Sequence, residues 1–278
     1  MIFYIPSSEQ LARAISLPKG HATFKQFTDG EWHVQIHDEV KGKSVWVLAQ
    51  TGAPADTIIQ LLLLCDALQR AGATLNIFLS YMGYARQDKL FAGQALSVEV
   101  MCKLIALSQP KSLHALQLHN PAICSSLFTN HIPYPFFDEC IGDNDIVVAP
   151  DKGAALWAGP IAANHMRQLV RIEKQRPAPE RVIMQLSGDV CGKRALIVDD
   201  MITTGNTILE AARVLFEHGA VSVQVACTHG LFTGDAKKNL LQSTIQKIYV
   251  TNSLPQEHAH DKITVVDIAP FINEILKE

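Results

Sequence analysis

The sequence has little net charge: 24 lysines and arginines stand against 27 aspartates and glutamates, which gives a formal charge of −3. Because no strongly basic field results, we expect no nucleic acid partner. The run of leucines at 61–64 is too short to cross a bilayer, and the first six residues lack the charged start and the apolar stretch of a secretion signal. We therefore expect no membrane partner and a cytoplasmic location.

The sequence also lacks cysteine pairs of the Cys-x-x-Cys type. Scattered cysteines, four of them inside apolar or helical runs, are typical of reduced core residues in a cytosolic protein. The six are Cys65, Cys102, Cys124, Cys140, Cys191 and Cys227. What the chain does have is 48% hydrophobic residues in a length of 278, which is enough for sizeable cores and favours two domains over one.

Strand-like apolar runs and helical patterns alternate along both halves of the chain. Such alternation predicts an α/β protein of two similar domains, each a mainly parallel sheet flanked by helices. The polar turn at 142–145 is the predicted boundary, so the domains are 1–142 and 143–278, with room for the last helix to pack on the first domain. Within this pattern, residues 132–137 are predicted as a strand and residues 173–179 as a loop.

The pattern centres on residues 194–208, an apolar run that ends in two acids and a hydroxyl-rich turn. Residues 195–198 are predicted as a buried parallel strand and residues 208–218 as an amphipathic helix. Free N–H groups at the helix start, threonine hydroxyls and a glycine favour a bound phosphate, while the acids suit sugar hydroxyls. The pattern therefore predicts a site for a phosphorylated sugar, formed by Asp199, Asp200, Thr203, Thr204, Gly205, Asn206 and Thr207.

This stretch resembles the phosphoribosyl-binding loop of the phosphoribosyltransferase superfamily, in which two acids, two variable residues, Thr-Gly and a final Thr follow one another. Thr203 stands where many members have Asp, and Asn206 stands where Gly is common. Two other interpretations remain open: a solvated acidic turn whose threonines cap the helix, and the acidic pocket of a receiver domain. In a receiver domain the Thr-Gly-Asn-Thr tail would have no role.

Further segments resemble the ribose-phosphate pyrophosphokinase family and occur in the order that family uses. They are Phe-Thr-Asp-Gly-Glu at 27–31, Tyr-Ala-Arg-Gln-Asp-Lys at 84–89, Val-Ala-Pro-Asp-Lys-Gly at 148–153, Lys-Gln-Arg at 174–176, and the later segments at 228–234 and 251–257. The resemblance covers nearly the whole chain. The modest length and the short connection at 91–97 are similar to the shorter forms of the family.

The resemblance implies a reaction in which the anomeric hydroxyl of ribose 5-phosphate attacks the β-phosphorus of ATP, so that a pyrophosphoryl group moves and AMP leaves. It also implies Mg²⁺ as cofactor and a homo-oligomer, dimer or higher, with an adenine pocket near a subunit interface. The catalytic residues would be Lys174 and Arg176 on a mobile flap. The other implied residues are Phe27, Asp29, Glu31, Arg86 and Gln87 for ATP, Asp151, Lys152 and Gly153 for pyrophosphate, and His119 and Asp151 for metal.

Several of these residues also have ordinary structural interpretations. Phe27 can be a core residue, His119 a structural histidine, and Lys152 a solvated charge. The two catalytic cations can be surface charges. The stretch His258-Ala-His260 has no third ligand near it and is interpreted as a polar loop, not as a metal site.

Two other functions compete with pyrophosphoryl transfer. A phosphoribosyltransferase that consumes the activated sugar would explain the acids and threonines at 199–207, but not the segments at 84–89 and 174–176. A catalytically weak homologue that binds nucleotide or regulates an active partner would explain the departures at four positions, which are Gln117, Ala154, Thr203 and Asn206. The intact pairs of catalytic cations and acids count against it.

Overall fold

The structure, a computed structural model, describes residues 1–178, 181–256 and 260–277; at 174–178 and 181–183 it describes the backbone alone. The chain divides into two compact units. The first comprises Met1–Ile132, Ser253–Pro255 and Ile268–Glu278, and the second comprises Pro133–Asn252 and Gln256–Asp267. The first division between the units thus falls between Ile132 and Pro133, whereas the polar turn in the sequence lies at 142–145.

The first unit is built on a five-stranded sheet whose paired strands all run parallel. Its elements are β1 (Ile2–Tyr4), α1 (Glu9–Ala14), β2 (Ala22–Gln26), β3 (Trp32–Ile36), β4 (Ser44–Gln50), α2 (Asp56–Arg70), β5 (Thr74–Tyr81), α3 (Ser97–Ala106), β6 (Ser112–Leu116), α4 (Pro121–Cys124) and β7 (Thr129–His131). The strand order is β1-β4-β5-β6-β7, and β2 and β3 form a separate antiparallel hairpin. A core of buried aliphatic residues lies between this sheet and α2 and α3.

The second unit is built on a seven-stranded sheet in the order β10-β9-β8-β11-β12-β13-β14. Its elements are α5 (Tyr134–Ile141), β8 (Ile146–Ala149), α6 (Ala155–Asn164), β9 (Gln168–Ala178), β10 (Arg181–Leu186), β11 (Arg194–Ile202), α7 (Asn206–Glu217), β12 (Ser222–Gly230), α8 (Ala236–Gln242), β13 (Lys247–Thr251) and β14 (Ile263–Val266). All neighbouring strands are parallel except β10, which runs antiparallel to β9. Both sheets therefore confirm the predicted α/β class with mainly parallel sheets.

The last helix, α9 (Ala269–Ile275), belongs to the first unit. Its buried residues Ala269, Ile272 and Ile275 join a cluster with Ile2 and Phe78 on the sheet face that α1 also covers. The chain therefore closes the core of its first unit with its final helix. Within the described ranges, no helix is long and apolar enough to pass through a membrane.

The prediction of a strand at 132–137 is wrong, because this segment begins α5. Pro135 occupies the first turn of the helix, where a proline loses no hydrogen bond and its fixed φ suits the helix. Phe136, Phe137, Cys140 and Ile141 are buried, which is the i, i+4 spacing of one helical face. The short strand at this point of the chain is β7, immediately before.

The prediction of a loop at 173–179 is also wrong over most of its length. β9 continues to Ala178 and pairs with β10, with Glu173 opposite Gln185 and Lys174 opposite Met184. The prolines of this segment do not prevent pairing, because a proline is tolerated in a strand that lies near the edge of a sheet. The side chains of Lys174 and Arg176 lie outside the part of the chain that the structure describes.

The six cysteines do not all remain reduced core residues. Cys102 and Cys124 form a disulfide that joins α3 to α4, with an S–S distance of 2.23 Å. Cys65, Cys140 and Cys227 are buried free thiols as predicted, but Cys191 is exposed. Because the two bonded cysteines are 22 residues apart, only the packing of α4 on α3 brings them together.

Candidate active site

The loop between β11 and α7 presents main-chain N–H groups that are suited to an anion. The first hydrogen bond of α7 runs from Leu209 N–H to Gly205 O (2.9 Å), so the N–H groups of Asn206, Thr207 and Ile208 have no acceptor within the helix. Gly205 has no side chain that could cap them. Unsatisfied N–H groups at a helix start attract a phosphate, and the exposed side chains of Asn206 and Thr207 lie at the same end.

Gly205 is required at this point for two reasons. Its φ of +77° is a left-handed conformation that residues with a Cβ adopt at a cost. A Cβ would also lie 3.2 Å from Leu240 Cδ1. The carbonyl of Thr203 accepts a hydrogen bond from Thr233 N–H (2.9 Å), and that of Ile202 accepts one from Leu231 N–H (2.9 Å), so the segment after β12 holds the loop backbone.

Asp199 and Asp200 lie within β11 and not in a turn after it. The strand continues to Ile202 because it pairs with β12 as far as Gly230. Both side chains are buried, and Asp200 N–H donates to Asp199 Oδ1 (2.9 Å). Burial raises the pKa of Asp199 well above its usual range, and the charges of Asp200 and Asp151 raise it further. A negative charge on Asp199 is therefore unfavourable in this surrounding.

The loop after β8 carries the predicted pyrophosphate residues Asp151, Lys152 and Gly153. Ala154 N–H donates to Asp151 Oδ1 (2.9 Å), so the aspartate closes the turn that leads into α6. All three predicted residues are exposed. Asp151 thus stabilises the turn, and its carboxylate also lies near enough to the buried acid pair to affect the pKa of Asp199.

A cavity of about 1030 Å³ brings these two loops together. It lies at the carboxyl end of β8, beside the part of β9 that continues past β8, and next to the start of α7. Of the predicted residues, it is lined by Asp151, Lys152, Asn206 and Thr207. The carboxyl ends of parallel strands are where ligands bind in open α/β sheets. The cavity therefore lies where a ligand is expected to bind in a sheet of this type.

The comparisons with known proteins agree with this geometry. Residues 1–108 match the family model described as the N-terminal domain of ribose phosphate pyrophosphokinase, and residues 151–278 match the one described as the phosphoribosyl synthetase-associated domain. The chain is 34% identical to a ribose-phosphate pyrophosphokinase from Caldanaerobacter subterraneus, across 97% of this chain and 90% of the relative. A relative of the same name from Halalkalibacterium halodurans is 33% identical across 99% and 92%.

The chain belongs to the ribose-phosphate pyrophosphokinase family. The fold agrees, since the crystal structure of phosphoribosylpyrophosphate synthetase from Mycobacterium smegmatis is similar with a TM-score of 0.90. That match has 28% sequence identity and covers 100% of this chain and 97% of the other. The two-unit α/β fold of the chain is therefore the fold of a solved member of this enzyme family.

In the first unit, the residues expected to bind ATP lie in the long loop between β5 and α3. Arg86 and Gln87 are both exposed there. Ser97 Oγ donates to Gln87 Oε1 (2.5 Å), and Asn120 Nδ2 donates to Asp88 Oδ2 (2.9 Å), so the loop is tied to the starts of α3 and α4. Tyr84, at a φ of +61°, opens the turn that carries Arg86.

Phe27, Asp29 and Glu31 lie at the tip of the β2–β3 hairpin. Phe27 N–H donates to Glu31 O (2.8 Å), and Asp29 Oδ1 accepts from Glu31 N–H (3.1 Å), so the tip is held by its own residues. The Phe27 side chain is 44% exposed, with Lys25 Nζ 5.2 Å from its ring centre. The alternative that Phe27 is a core residue is therefore wrong.

The structure shows the surroundings of two of the histidines, and the metal role of His119 stays a prediction. His119 is half-buried shortly after β6, next to a buried Gln117 whose N–H donates to His131 O (2.9 Å). Of the pair at 258 and 260, His258 lies outside the described residues, and His260 Nδ1 accepts from Lys262 N–H (3.1 Å). Across the three described ranges, no three His, Cys, Asp or Glu side chains meet in an arrangement that holds a metal ion by itself.

The sequence interpretation missed part of the cavity wall. Arg171, Glu173 and Met184 line it from β9 and β10, and Glu210 lines it from α7. The sequence motifs assign no role to any of these four residues. Residues 171 and 173 are two apart on a strand, so their side chains face the same side of the sheet. That this side borders the end of β8 is known only from the pairing of β9 with β8.

Proposed function

We propose that this chain transfers the pyrophosphoryl group of ATP to the anomeric hydroxyl of ribose 5-phosphate, giving phosphoribosyl pyrophosphate and AMP. The cavity of the second unit is the observation that carries this proposal. It has the helix-start anion site of α7 on one side and the Asp151 loop on the other. A ligand with a phosphate at one end of a sugar and a pyrophosphate at the other matches that arrangement. Membership of the ribose-phosphate pyrophosphokinase family supports the same reaction.

Ribose 5-phosphate is assigned to the loop before α7. Its phosphate would accept hydrogen bonds from the N–H groups at the helix start and from the side chains of Thr203, Thr204, Asn206 and Thr207. Gly205 supplies the close main-chain approach. Asp199 and Asp200 would accept hydrogen bonds from the ribose hydroxyls, which suits two buried carboxylates on neighbouring residues of the strand.

The acids at this edge of the sheet also fit Mg²⁺. Asp151, Asp199 and Asp200 are oxygen donors, and the raised pKa of Asp199 indicates negative charge that a cation would relieve. Mg²⁺ is commonly bound by one or two carboxylates together with substrate phosphates, and does not need a preformed protein cage. When bound, it would neutralise charge on the transferred phosphates. His119 is assigned to the same role in the first unit through the family resemblance, so His119→Ala should raise the Mg²⁺ concentration needed for half-maximal rate.

The remaining roles concern ATP and the charge that develops during transfer. Arg86 and Gln87 would bind ATP, with Phe27, Asp29 and Glu31 around the adenine. Lys174 and Arg176, whose backbones lie on β9, would stabilise the charge of the transferring group. Lys152 and Gly153 would hold the pyrophosphate together with Asp151. In this arrangement each substrate is bound mainly through contacts to its phosphates.

An assay for AMP tests the proposal. The protein is incubated with ribose 5-phosphate, ATP and Mg²⁺, and AMP should form in step with the diphosphorylated sugar because the pyrophosphoryl unit moves whole. Lys174→Ala should lower kcat about a hundredfold or more and leave the melting temperature unchanged. Formation of ADP in place of AMP would refute the reaction. Turnover that needs a nitrogenous base and no ATP would favour a phosphoribosyltransferase, and absence of any turnover would favour the regulatory homologue.

The exposed hairpin tip supports an oligomer. An aromatic residue that is 44% exposed at the end of a hairpin is placed to contact another molecule, and we propose that this molecule is a second copy of the chain. Light scattering of wild type and Phe27→Ser should then differ in mass; a monomeric wild type would refute the proposal. We also propose a cytoplasmic location, where ATP and ribose 5-phosphate are both available, which cell fractionation tests.

A further inference from the structure

Arg171 occupies a position in the cavity that the family segments do not mark. It lies on β9 opposite Ala149, the last residue of β8, and the chain continues from Ala149 through Pro150 into the Asp151 loop. The side chain is exposed and lines the cavity together with Lys152 and Asp151. The arginine is therefore adjacent to the loop assigned to pyrophosphate.

The backbone of Arg171 is fixed while its guanidinium remains available. Arg171 N–H donates to Ser187 Oγ (2.8 Å), and Ser187 N–H donates to Arg171 O (3.0 Å), so Ser187 holds both main-chain groups of the arginine. Among residues with described side chains, none pairs with its guanidinium. Glu210, the acid on the α7 side of the cavity, is paired with Arg213 at 2.7 Å. An arginine at a cavity wall without a carboxylate partner has all its donors free for a ligand.

The groups already described offer more hydrogen-bond donors to the 5-phosphate end of the proposed ligand than to its pyrophosphate end. The 5-phosphate end has the N–H groups of three residues and several hydroxyls at the start of α7. The pyrophosphate end carries more charge, and the loop beside it contributes Asp151, which adds negative charge. Lys152 is one cation at this end, but an ammonium is a point charge, whereas a guanidinium can donate two parallel hydrogen bonds to one phosphate.

We propose that Arg171 is a further substrate-binding residue, whose guanidinium contacts the pyrophosphoryl group held by the loop at 151–153. The inference rests on the proposed function, since it takes the phosphate assignments of the two loops from it. Arg171 sets the preference of this end of the cavity for a diphosphate over a single phosphate. Its contact is made by side-chain donors and is separate from the main-chain cradle at α7.

Direct binding measurements test the inference without relying on turnover. Inorganic pyrophosphate with Mg²⁺ and ribose 5-phosphate are titrated separately into wild type, Arg171→Leu and Arg171→Lys by calorimetry. Arg171→Leu should weaken pyrophosphate binding about tenfold to a hundredfold, because hydrogen bonds to a charged group are lost. The affinity of Arg171→Lys for pyrophosphate should lie between those of wild type and Arg171→Leu, because lysine keeps the positive charge but cannot donate two parallel hydrogen bonds to one phosphate. Binding of ribose 5-phosphate should change less than twofold in both.

Arg167→Leu is the matched control, because Arg167 is exposed just before β9 and does not line the cavity. It changes the net charge equally and should leave pyrophosphate affinity at the wild-type value. Equal losses in Arg171→Leu and Arg167→Leu, unchanged pyrophosphate affinity in Arg171→Leu, or a loss confined to ribose 5-phosphate would each overturn the inference. If wild type forms no AMP but pyrophosphate binding separates the variants as expected, the reaction fails and the assignment of Arg171 stands.

Discussion

The two sheets have equivalent strand-to-helix loops, and the chain fills them in different ways. β4 leads into α2 as β8 leads into α6, and each strand lies second in the parallel part of its sheet. After β4, Gly52 N–H donates to Gln50 Oε1 (2.9 Å) and Thr57 Oγ1 donates to Gly52 O (2.8 Å). Gly83 packs so closely that a Cβ there would lie 2.1 Å from Thr51 O. This loop satisfies its own polar groups, whereas the loop after β8 borders the cavity.

A second pair of loops shows the same contrast. In the second unit, three residues at 203–205 join β11 to α7, and the strand carries a buried acid pair shortly before its end. In the first unit, the connection from β5 to α3 is the long loop at 82–96, and β5 carries the neutral Ser80, whose Oγ donates to Ala49 O (3.4 Å). The common topology therefore does not make a sugar-phosphate site. On the proposed assignment, a sugar-phosphate site needs a short loop with unsatisfied N–H groups and acids near the end of the strand, whereas a long loop is better suited to adaptable contacts with a second ligand.

Thr207→Val is expected to show the largest difference between the two units in ligand binding. It removes a hydroxyl donor from the α7 start and places an apolar methyl there, so the Kd for ribose 5-phosphate should rise about tenfold to a hundredfold. Binding of ATP should remain measurable. Ser97→Ala, at the equivalent helix start of α3, removes the hydroxyl that holds Gln87. It should weaken ATP binding by at most about tenfold and leave ribose 5-phosphate binding unchanged.

Melting shifts with each ligand provide the measurement. Undiminished stabilisation of Thr207→Val by ribose 5-phosphate would remove the phosphate assignment from the α7 loop. Loss of ribose 5-phosphate binding in Ser97→Ala would show that the units do not divide the ligands in this way.

Much of the fold could be predicted because its signals are local. The apolar run before Asp199, the helix after Gly205 and the alternation of strands and helices follow from residues near one another in sequence. The pairing of β9 with β10 and the extension of β11 to Ile202 depend on partner strands, so no local pattern reveals them. At 132–137 the prediction ignored a local signal. A proline disfavours the interior of a strand and suits the first turn of a helix, so the prolines there indicate a helix start.

The candidate site was predicted where main-chain geometry and residue type coincide, as at Gly205 and Thr207. Arg171 and Glu210 were missed because their relevance depends on which way a strand and a helix face the cavity. The disulfide between Cys102 and Cys124 was missed for a similar reason, since it requires the packing of two helices. Side-chain facing is a property of the assembled sheet, and one sequence carries it only indirectly.

Gly205→Ala tests whether the short loop before α7 is more constrained than the long loop before α3, by its effect on the free energy of unfolding. The left-handed φ of +77° costs about 1–2 kcal/mol for a residue with a Cβ, and contact with Leu240 adds to it. Gly93→Ala is the matched variant in the long loop of the first unit, with a φ of +75° and open space around it. Chemical denaturation should show the larger loss for Gly205→Ala. Equal losses would mean that Leu240 moves aside freely and that the short loop is no more constrained than the long one.

The smallest expected effect concerns the acid pair that the first unit lacks. Burial and the charges of Asp200 and Asp151 raise the pKa of Asp199 in the folded state. Stability from this carboxyl is therefore fully present below the ordinary carboxyl range near pH 4, and is lost as the pH rises through the raised value. With a chelator present, Asp199→Asn should be more stable than wild type at pH 8, and the difference should shrink towards pH 4.

Ser80→Ala, at the corresponding end of β5, is the control for this measurement because it removes no ionisable group. Its stability relative to wild type should not vary with pH. Denaturation curves at several pH values between 4 and 8 decide the matter. A pH-independent advantage of Asp199→Asn would show that the strand end tolerates its negative charge without a bound cation. If the advantage grows with pH and reverses when Mg²⁺ replaces the chelator, the charge at this edge is what the cation relieves, and the neutral edge of the first unit has no such requirement.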